Sequence, residues 1–523
     1  MARNARSILI AVVLWVVILG SAGAIVRYFI LPRHKEKERT TLFSKTGSQE
    51  SYDHKVTLAA DSFSGYYVFR TEAFRERLAR QSIQFAVQDD GADYTERMKS
   101  LLRGEVQMAV FPINSFIQVG VELGEFPATI IYLVDETTGA DAIVADKNLV
   151  PDITALNHRK ARIVSTPDSP SEFIARVLIA SFQLPELPEK EWMVPADGAD
   201  QVYRKLRGAS GKAPAAYALW EPYVSKALQD DDMHVLLDSS KLKGYIVDAL
   251  VVERSFLVDH YDVVKDVVEA YAQTAYDTRN SLTTSVREDA EFLNEPMSAA
   301  EAERLTKGIL WKNTLENYAH FGLSTVHHEL DKMEDILRKV TDVLAKTGAL
   351  TSSSLDVSMN SLYFTRILEE MKEEGFHPGR QVNVLSGSGI GSLDEQVRGV
   401  QDLQALTTPQ WESLVPVGEM RVAPITFGRG TARVNVAGRR ELVSLAQMLT
   451  SWPDYYLTVT GRVRPGGDED AALALARSRA EAAVKVLVES GVDADRIRAV
   501  ALVAEQDTTS SQSVSFFVGQ LPF

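Results

Sequence analysis

Residues 92–112, ADYTERMKSLLRGEVQMAVFP, read as a helix (ADYTERMKSLLRGE) running directly into a strand (VQMAVFP). Upstream of it lie the strand VTLAA from Val56, a polar loop, the helical stretch FRTEAFRERLAR and the strand IQFAVQ. Such alternation of strand and helix predicts a parallel sheet with helices on its faces. Open sheets of this kind bind ligands outside the carboxyl ends of their strands. The loops after VTLAA and VQMAVF are therefore the first candidates, with Ser62, Ser64, Gly65 and Tyr66 in one and Pro112, Asn114 and Ser115 in the other.

A second run of the same architecture begins near Ala161 with ARIVSTPDSPSEFIARVLIASF, followed by AAYALWEPYVSKAL and by HVLLDSS at His234 to Ser240. The turn holding Asp168, Ser169 and Ser171 ends at a predicted helix N-terminus, where unpaired N–H groups and the helix dipole favour an anion. Ser171 as a simple helix cap, with Asp168 in the turn, is the alternative.

These pieces, with LLRGEVQMAVFP, Gly139 to Val144, Trp220-Glu221-Pro222-Tyr223 and Tyr245 to Val252, resemble the substrate-binding proteins of nitrate, taurine and aliphatic-sulfonate ABC importers. The resemblance spans Lys55 to Gly375, since ILWKNTLENYAHFG resembles the helical part that completes such proteins. It implies an α/β, bilobed periplasmic-binding-protein-like module that closes on a small solute without doing chemistry on it. Trp220 and Glu221 would wall and orient the ligand, and the loop at Ser64 to Tyr66 would supply hydrogen bonds. Asp141 and Asp248 fall where the chain crosses between lobes and are hinge or cleft candidates. A sulfonate or nitrate wants a cationic or N–H-rich pocket, whereas Asp61, Asp168 and Glu221 suit an amine-bearing or zwitterionic ligand, so the solute stays open.

From Arg421 onward the order is a strand (PITFGRGTARV), a helix (GRRELVSLAQMLTSWP), a strand (YYLTVTGRV), a long helix and two last strands, an α+β unit. LTVTGRV and LALARSRAEAAVKVLVESGVDADRIRAV resemble an OmpA-like peptidoglycan-associating domain. The family places His-Thr-Asp after the glycine of the second strand, but here Arg462, Val463 and Arg464 follow Gly461. The family's Asp pairs with an Arg at the position of Arg479 to grip the peptide stem, so half of that constellation survives. Ala472 and Ala476 also replace its usual Asn and Ser. Arg464 and Arg479 are the candidate peptidoglycan contacts.

At the other end, Ser7 to Val26 is a run of 20 residues without a charge, long enough at about 1.5 Å per residue to span a bilayer core. It is read as a retained transmembrane anchor, with Ala22-Gly23-Ala24 offering a cleaved signal peptide as the alternative. Arg27, Arg33, Lys35, Lys37 and Arg39 argue for a cytoplasmic body, but the resemblance of both domains to exported modules implies a body in the periplasm of an inner-membrane, single-pass protein.

The expected organisation is thus 1–31 anchor, 32–54 tether, 55–375 bilobed module, 376–420 linker around Gly387 to Ser392, and 421–523 OmpA-like domain. A net charge of -15 argues against nucleic acid, and the absence of Cys removes thiol chemistry. No catalytic constellation, metal site or cofactor is expected: His327-His328 lacks the i, i+4 spacing of a zinc pair, and His158, His234 and His260 show no triad. The expected partners are a small-molecule solute, an ABC permease, peptidoglycan and, through the anchor, the membrane. An envelope scaffold reusing both folds is the competing reading.

Overall fold

Met108, Ala109, Val110 and Phe111 have no exposed surface at all, as befits a strand covered on both faces. In the computed structural model this strand is central to the first of three sheets among the described residues. The structure describes residues 52–209, 213–324, 330–350, 355, 357–378, 403–428, 430–463, 468–503 and 514–522. The expected anchor, most of the tether, His327-His328, the glycine-rich stretch near Gly387 and Arg464 lie outside them.

The first lobe is built on β1 (His54–Ala60), β2 (Ile83–Asp89), β3 (Met108–Pro112), β4 (Ala128–Thr137), β10 (Val247–Glu253) and β11 (Ile309–Trp311), in the order β11-β4-β10-β3-β1-β2. The second is built on β5 (Asp141–Asp146), β6 (Arg162–Ser165), β7 (Met193–Pro195), β8 (Ala215–Trp220) and β9 (Met233–Asp238), in the order β7-β6-β8-β5-β9. Both sheets are mixed, where the alternation of elements predicted parallel ones. β2, β1 and β3 run parallel, but β10 is antiparallel to both β3 and β4. The crossings explain this. The chain leaves the first sheet at the end of β4 and returns at the start of β10, with Val247 opposite Glu136, so the returning strand must run against the departing one.

Side-chain caps set the helix starts. Asp93 accepts from Glu96 N–H at 2.9 Å at the head of the helix Tyr94–Leu102, and Asp468 accepts from Ala471 N–H at 3.1 Å at the head of the helix Glu469–Glu489. The helix Met333–Lys346 packs on Ile113–Leu123 of the first lobe and on Pro170–Ser181 of the second. Arg176 ties it to the second lobe through two bonds of 3.1 Å to Thr347.

The third sheet contains β12 (Val415–Glu419), β13 (Tyr456–Val463), β14 (Ile497–Val503) and β15 (Val514–Gln520), in the order β12-β15-β13-β14. Two sequence expectations change here. The described residues between Pro424 and Val434 form no strand, only an isolated bridge from Phe427 to Val434, because Gly428 and Gly430 turn the chain, the latter at a φ of +67°. The edge strand is instead Val415–Glu419, which places the end of the expected linker 376–420 inside the sheet. Gly461 is required by packing, since a Cβ there would come within 2.1 Å of the Ala476 carbonyl on the long helix.

This unit is seated on the second lobe. Arg421 N–H donates to Ser181 O at 2.7 Å, Gln183 N–H to Glu419 O at 2.9 Å, and Phe182 packs edge-on against Trp452 at 5.5 Å. Lys243 N–H, in the segment returning from β9 to β10, donates to Ser451 O at 3.0 Å. One apolar core therefore runs from the first lobe through Phe182 and Trp452 into the third sheet.

Candidate functional site

A cavity of about 660 Å³ lies at the junction of the two lobes. Its wall from the first lobe is the loop Asp61 to Ser64, with Tyr66 and Tyr94. Two buried arginines hold that loop. Arg70 donates twice to Asp289 at 2.7 Å and to the carbonyls of Asp61 and Phe63 at 2.9 Å. Arg97 reaches Asp61 at 2.9 Å, Asp90 at 2.5 Å and the carbonyl of Val110. Each guanidinium is matched by carboxylates, so both position the loop and neither offers its charge to the cavity.

Behind the loop, Gly65 passes so close to β4 that an added Cβ would lie 2.5 Å from Asp135 Oδ2. Its carbonyl accepts from Trp311 Nε1–H at 2.8 Å. Asp135, fully buried, stands opposite Asp248 in the β4–β10 register. Asp248 is 2% exposed and lines the cavity, and the Tyr66 hydroxyl hydrogen-bonds to it. Among the described residues no N–H or hydroxyl reaches either oxygen of Asp135 or Oδ1 of Asp248, so the two carboxyls are left to each other. Burial, followed by each carboxylate's repulsion from neighbouring acids, holds both members of the pair well above the usual carboxylate range. Two carboxyls can bond to each other only if one keeps its proton. Asp141, at the head of β5, lines the same floor and is raised to about 7, by burial first and then by Glu221.

The second lobe supplies Thr166, Ser169, Trp220, Glu221 and Tyr223. Glu221 accepts from Ser225 N–H at 3.1 Å and Ser225 Oγ–H at 2.8 Å, which fixes the turn after β8 and holds Trp220 at the rim. Carboxylates dominate the charged part of the lining: Asp61, Asp141, Asp200, Glu221, Asp248, Glu295 and Glu301 face one cation among the described residues, Lys226, whose ammonium rests 4.3 Å from the Tyr223 ring centroid.

Of the candidates read from the sequence, Ser62, Ser64, Tyr66, Asp141, Ser169, Trp220, Glu221 and Asp248 line this cavity. Gly65, Asn114, Ser115, Asp168 and Ser171 do not. Asn114 donates to Ser169 O at 3.4 Å, Ser115 Oγ to Asp168 O at 2.5 Å, and Gln118 bonds the Asp168 carboxylate, so this group joins the lobes directly. The helix N-terminus expected to favour an anion is occupied from within. Ser169 Oγ accepts from Glu172 N–H at 3.3 Å, and Glu172 itself accepts from Asp168 N–H at 2.6 Å. Ser171 is buried beneath it. Sequence reasoning missed Asp135, Tyr94 and Lys226. For Asp135 the signal was present, since Asp135-Glu136 puts two acids at the end of the apolar strand ATIIYLVDET.

In the C-terminal unit Arg479 donates to Thr431 O at 2.9 Å and lies over Phe427, and Arg462 lies over Phe517. Residues 426–515 match the OmpA family. A 74-residue stretch is 32% identical to the probable lipoprotein YiaD of Escherichia coli, and the chain spans about a third of that relative, 34% of its length, using 14% of its own. Among solved structures, the alkanesulfonate-binding protein SsuA of Xanthomonas axonopodis pv. citri bound to MOPS is 13% identical, with a TM-score of 0.44, 59% of this chain and 97% of that one covered. The Escherichia coli aliphatic sulphonate binding protein SsuA is also 13% identical, with a TM-score of 0.44 and coverage of 67% and 98%. The ligand-binding component of an ABC-type import system from Staphylococcus aureus is 10% identical, with a TM-score of 0.46 and coverage of 61% and 99%.

Proposed function

We propose that this chain is an exported, membrane-anchored solute-binding protein that captures a small solute between its lobes and passes it to an ABC importer or reports its presence, doing no chemistry on it. The observation that carries the reading is the cavity itself, lined by both lobes and by residues at both crossings, Thr137 and Asp141 on one and Asp248 on the other. A site so placed couples occupancy to the angle between the lobes. The uncharged run Ser7 to Val26 would anchor the protein in the inner membrane, and the C-terminal match to the OmpA family agrees with a body in the periplasm. Peptidoglycan contact would run through Arg464 and Arg479 without the family's acid, and the Arg479 guanidinium already serves Thr431.

A scaffold reading has one observation in its favour, the core shared between the second lobe and the C-terminal unit. Lobe closure separates the two. The chain has no Cys, so Glu76→Cys and Lys205→Cys, both on exposed helix positions of opposite lobes, give unique labelling sites on the full chain in detergent. Double electron–electron resonance should show two lobe separations whose populations shift when a panel of small amines, sulfonates, nitrate and phosphate is added. One unchanging distance with every compound would favour the scaffold.

A further inference from the structure

We infer that the cleft takes a small organic amine in its protonated form, its N–H groups held by Asp248 at the floor and its body packed against Trp220 and Tyr66. The inference rests on the solute-capture reading and names the class of solute.

The first observation is an acceptor without a donor. Asp248 lines the cavity at 2% exposure, and among the described residues no N–H or hydroxyl reaches its Oδ1, which has only the Asp135 carboxyl as a neighbour to share a proton with. A buried carboxylate oxygen left unpaired costs on the order of 1–3 kcal/mol or more, so a fold keeps one only where something else supplies the donor. Asp135 behind it and Asp141 beside it make the same floor acidic, able to give up protons to an arriving cation. An ammonium brings the charge and the N–H together.

The second observation is the fate of the positive charges. Arg70 and Arg97 are matched by Asp289, Asp61 and Asp90, and Lys226 sits over Tyr223. An anionic headgroup would meet carboxylates at the floor and an already filled helix N-terminus at the Pro170 end. A metal ion is disfavoured too, since among the described residues no group of three or more His, Cys, Asp or Glu side chains is placed to hold one. The aromatic lining suits an alkylammonium, whose charge is attracted to ring faces and whose carbons displace water.

The test is isothermal titration of the full chain in detergent with putrescine, ethanolamine and benzylamine, set against methanesulfonate, nitrate and phosphate, and with tetramethylammonium as a cation lacking N–H. Saturable binding of at least one primary amine is expected, with tetramethylammonium weaker. Asp248→Asn should weaken the amine by about tenfold or more while leaving the thermal midpoint of the ligand-free chain undiminished, because it also removes a repulsive charge. Should that variant misfold, Asp141→Asn provides the same comparison. Binding of an anion with no response to amines overturns this inference and leaves solute capture standing. Silence toward all compounds overturns both, and amine binding unchanged in both Asn variants removes the floor from the site.

Discussion

Asp135 and Glu136 are neighbours on β4, both at most 6% exposed, and side chains one apart on a strand point to opposite faces. On one face Glu136 meets Lys312 at 2.5 Å and accepts from Gly244 N–H at 2.6 Å. Burial alone would raise its carboxyl, but the Lys312 charge and these bonds bring it below the usual range. On the other face Asp135 meets a second acid and, among the described residues, no N–H or hydroxyl, and it is pushed up. The two acids are equally buried, so burial does not distinguish them. The first face is completed by the protein, holding β11 and the returning crossing segment in place. The second, under the cavity, sets acid against acid.

The contrast breaks most visibly on the completed face. Lys312→Met leaves Glu136 buried without its cation and should cost about 3–5 kcal/mol in chemical denaturation. Adding Glu136→Gln should recover most of that loss, since the uncompensated charge is then gone. A loss below about 1 kcal/mol for the single variant would mean that the Gly244 N–H alone satisfies Glu136, and the two faces would no longer differ in kind.

The uncompleted face should show itself in the pH dependence of stability. Asp141 is faced by Glu221 at the end of β8 and by Asp248 and Asp135 from β10 and β4, and its carboxyl is raised from 3.8 to about 7. A raised folded-state value means that the native state holds the proton longer than the unfolded chain does. Its contribution is complete below pH 3.8 and is lost as pH rises through about 7. In that window the ligand-free chain should lose about 1.4 kcal/mol per pH unit for this carboxyl alone, with the Asp135–Asp248 pair acting in the same direction. Asp141→Asn should flatten the slope, and saturation with a bound amine, which favours the ionised carboxylate, should flatten it as well. A ligand-free stability that rises steadily across the window in the wild type but not in Asp141→Asn would contradict the assignment.

Much of the fold could be read before any coordinates, because its strands are apolar runs bounded by turns. VTLAA, IQFAVQ and VQMAVFP become β1, β2 and β3 close to their expected limits. Strand direction was not legible. The antiparallel entry of β10 follows from where the chain crosses back, a long-range fact that no local pattern carries. The cavity lining was partly legible for the same reason. Trp220-Glu221 and the loop after β1 sit at strand ends, whereas Tyr94 enters from the first turn of a helix whose sequence marks it only as core. Asn114 and Asp168 were polar residues at strand ends as well, and only the packing of the lobes against each other assigns them to the seam.

The smallest expected effect is also the most discriminating. Asp135→Asn preserves shape, removes one charge from the acidic floor and supplies an amide N–H toward Asp248. If the pair is a cost the fold tolerates for the sake of a ligand, the ligand-free variant should be more stable by about 1 kcal/mol in denaturant near neutral pH. Its amine affinity should fall less than that of Asp248→Asn, because Asp135 contributes charge from behind and does not line the cavity. A destabilised Asp135→Asn would place Asp135 with Glu136, as a carboxylate that the Lys312 charge helps to hold in the native fold. The two faces of β4 would then be one electrostatic unit, with Asp248 alone left to meet the solute.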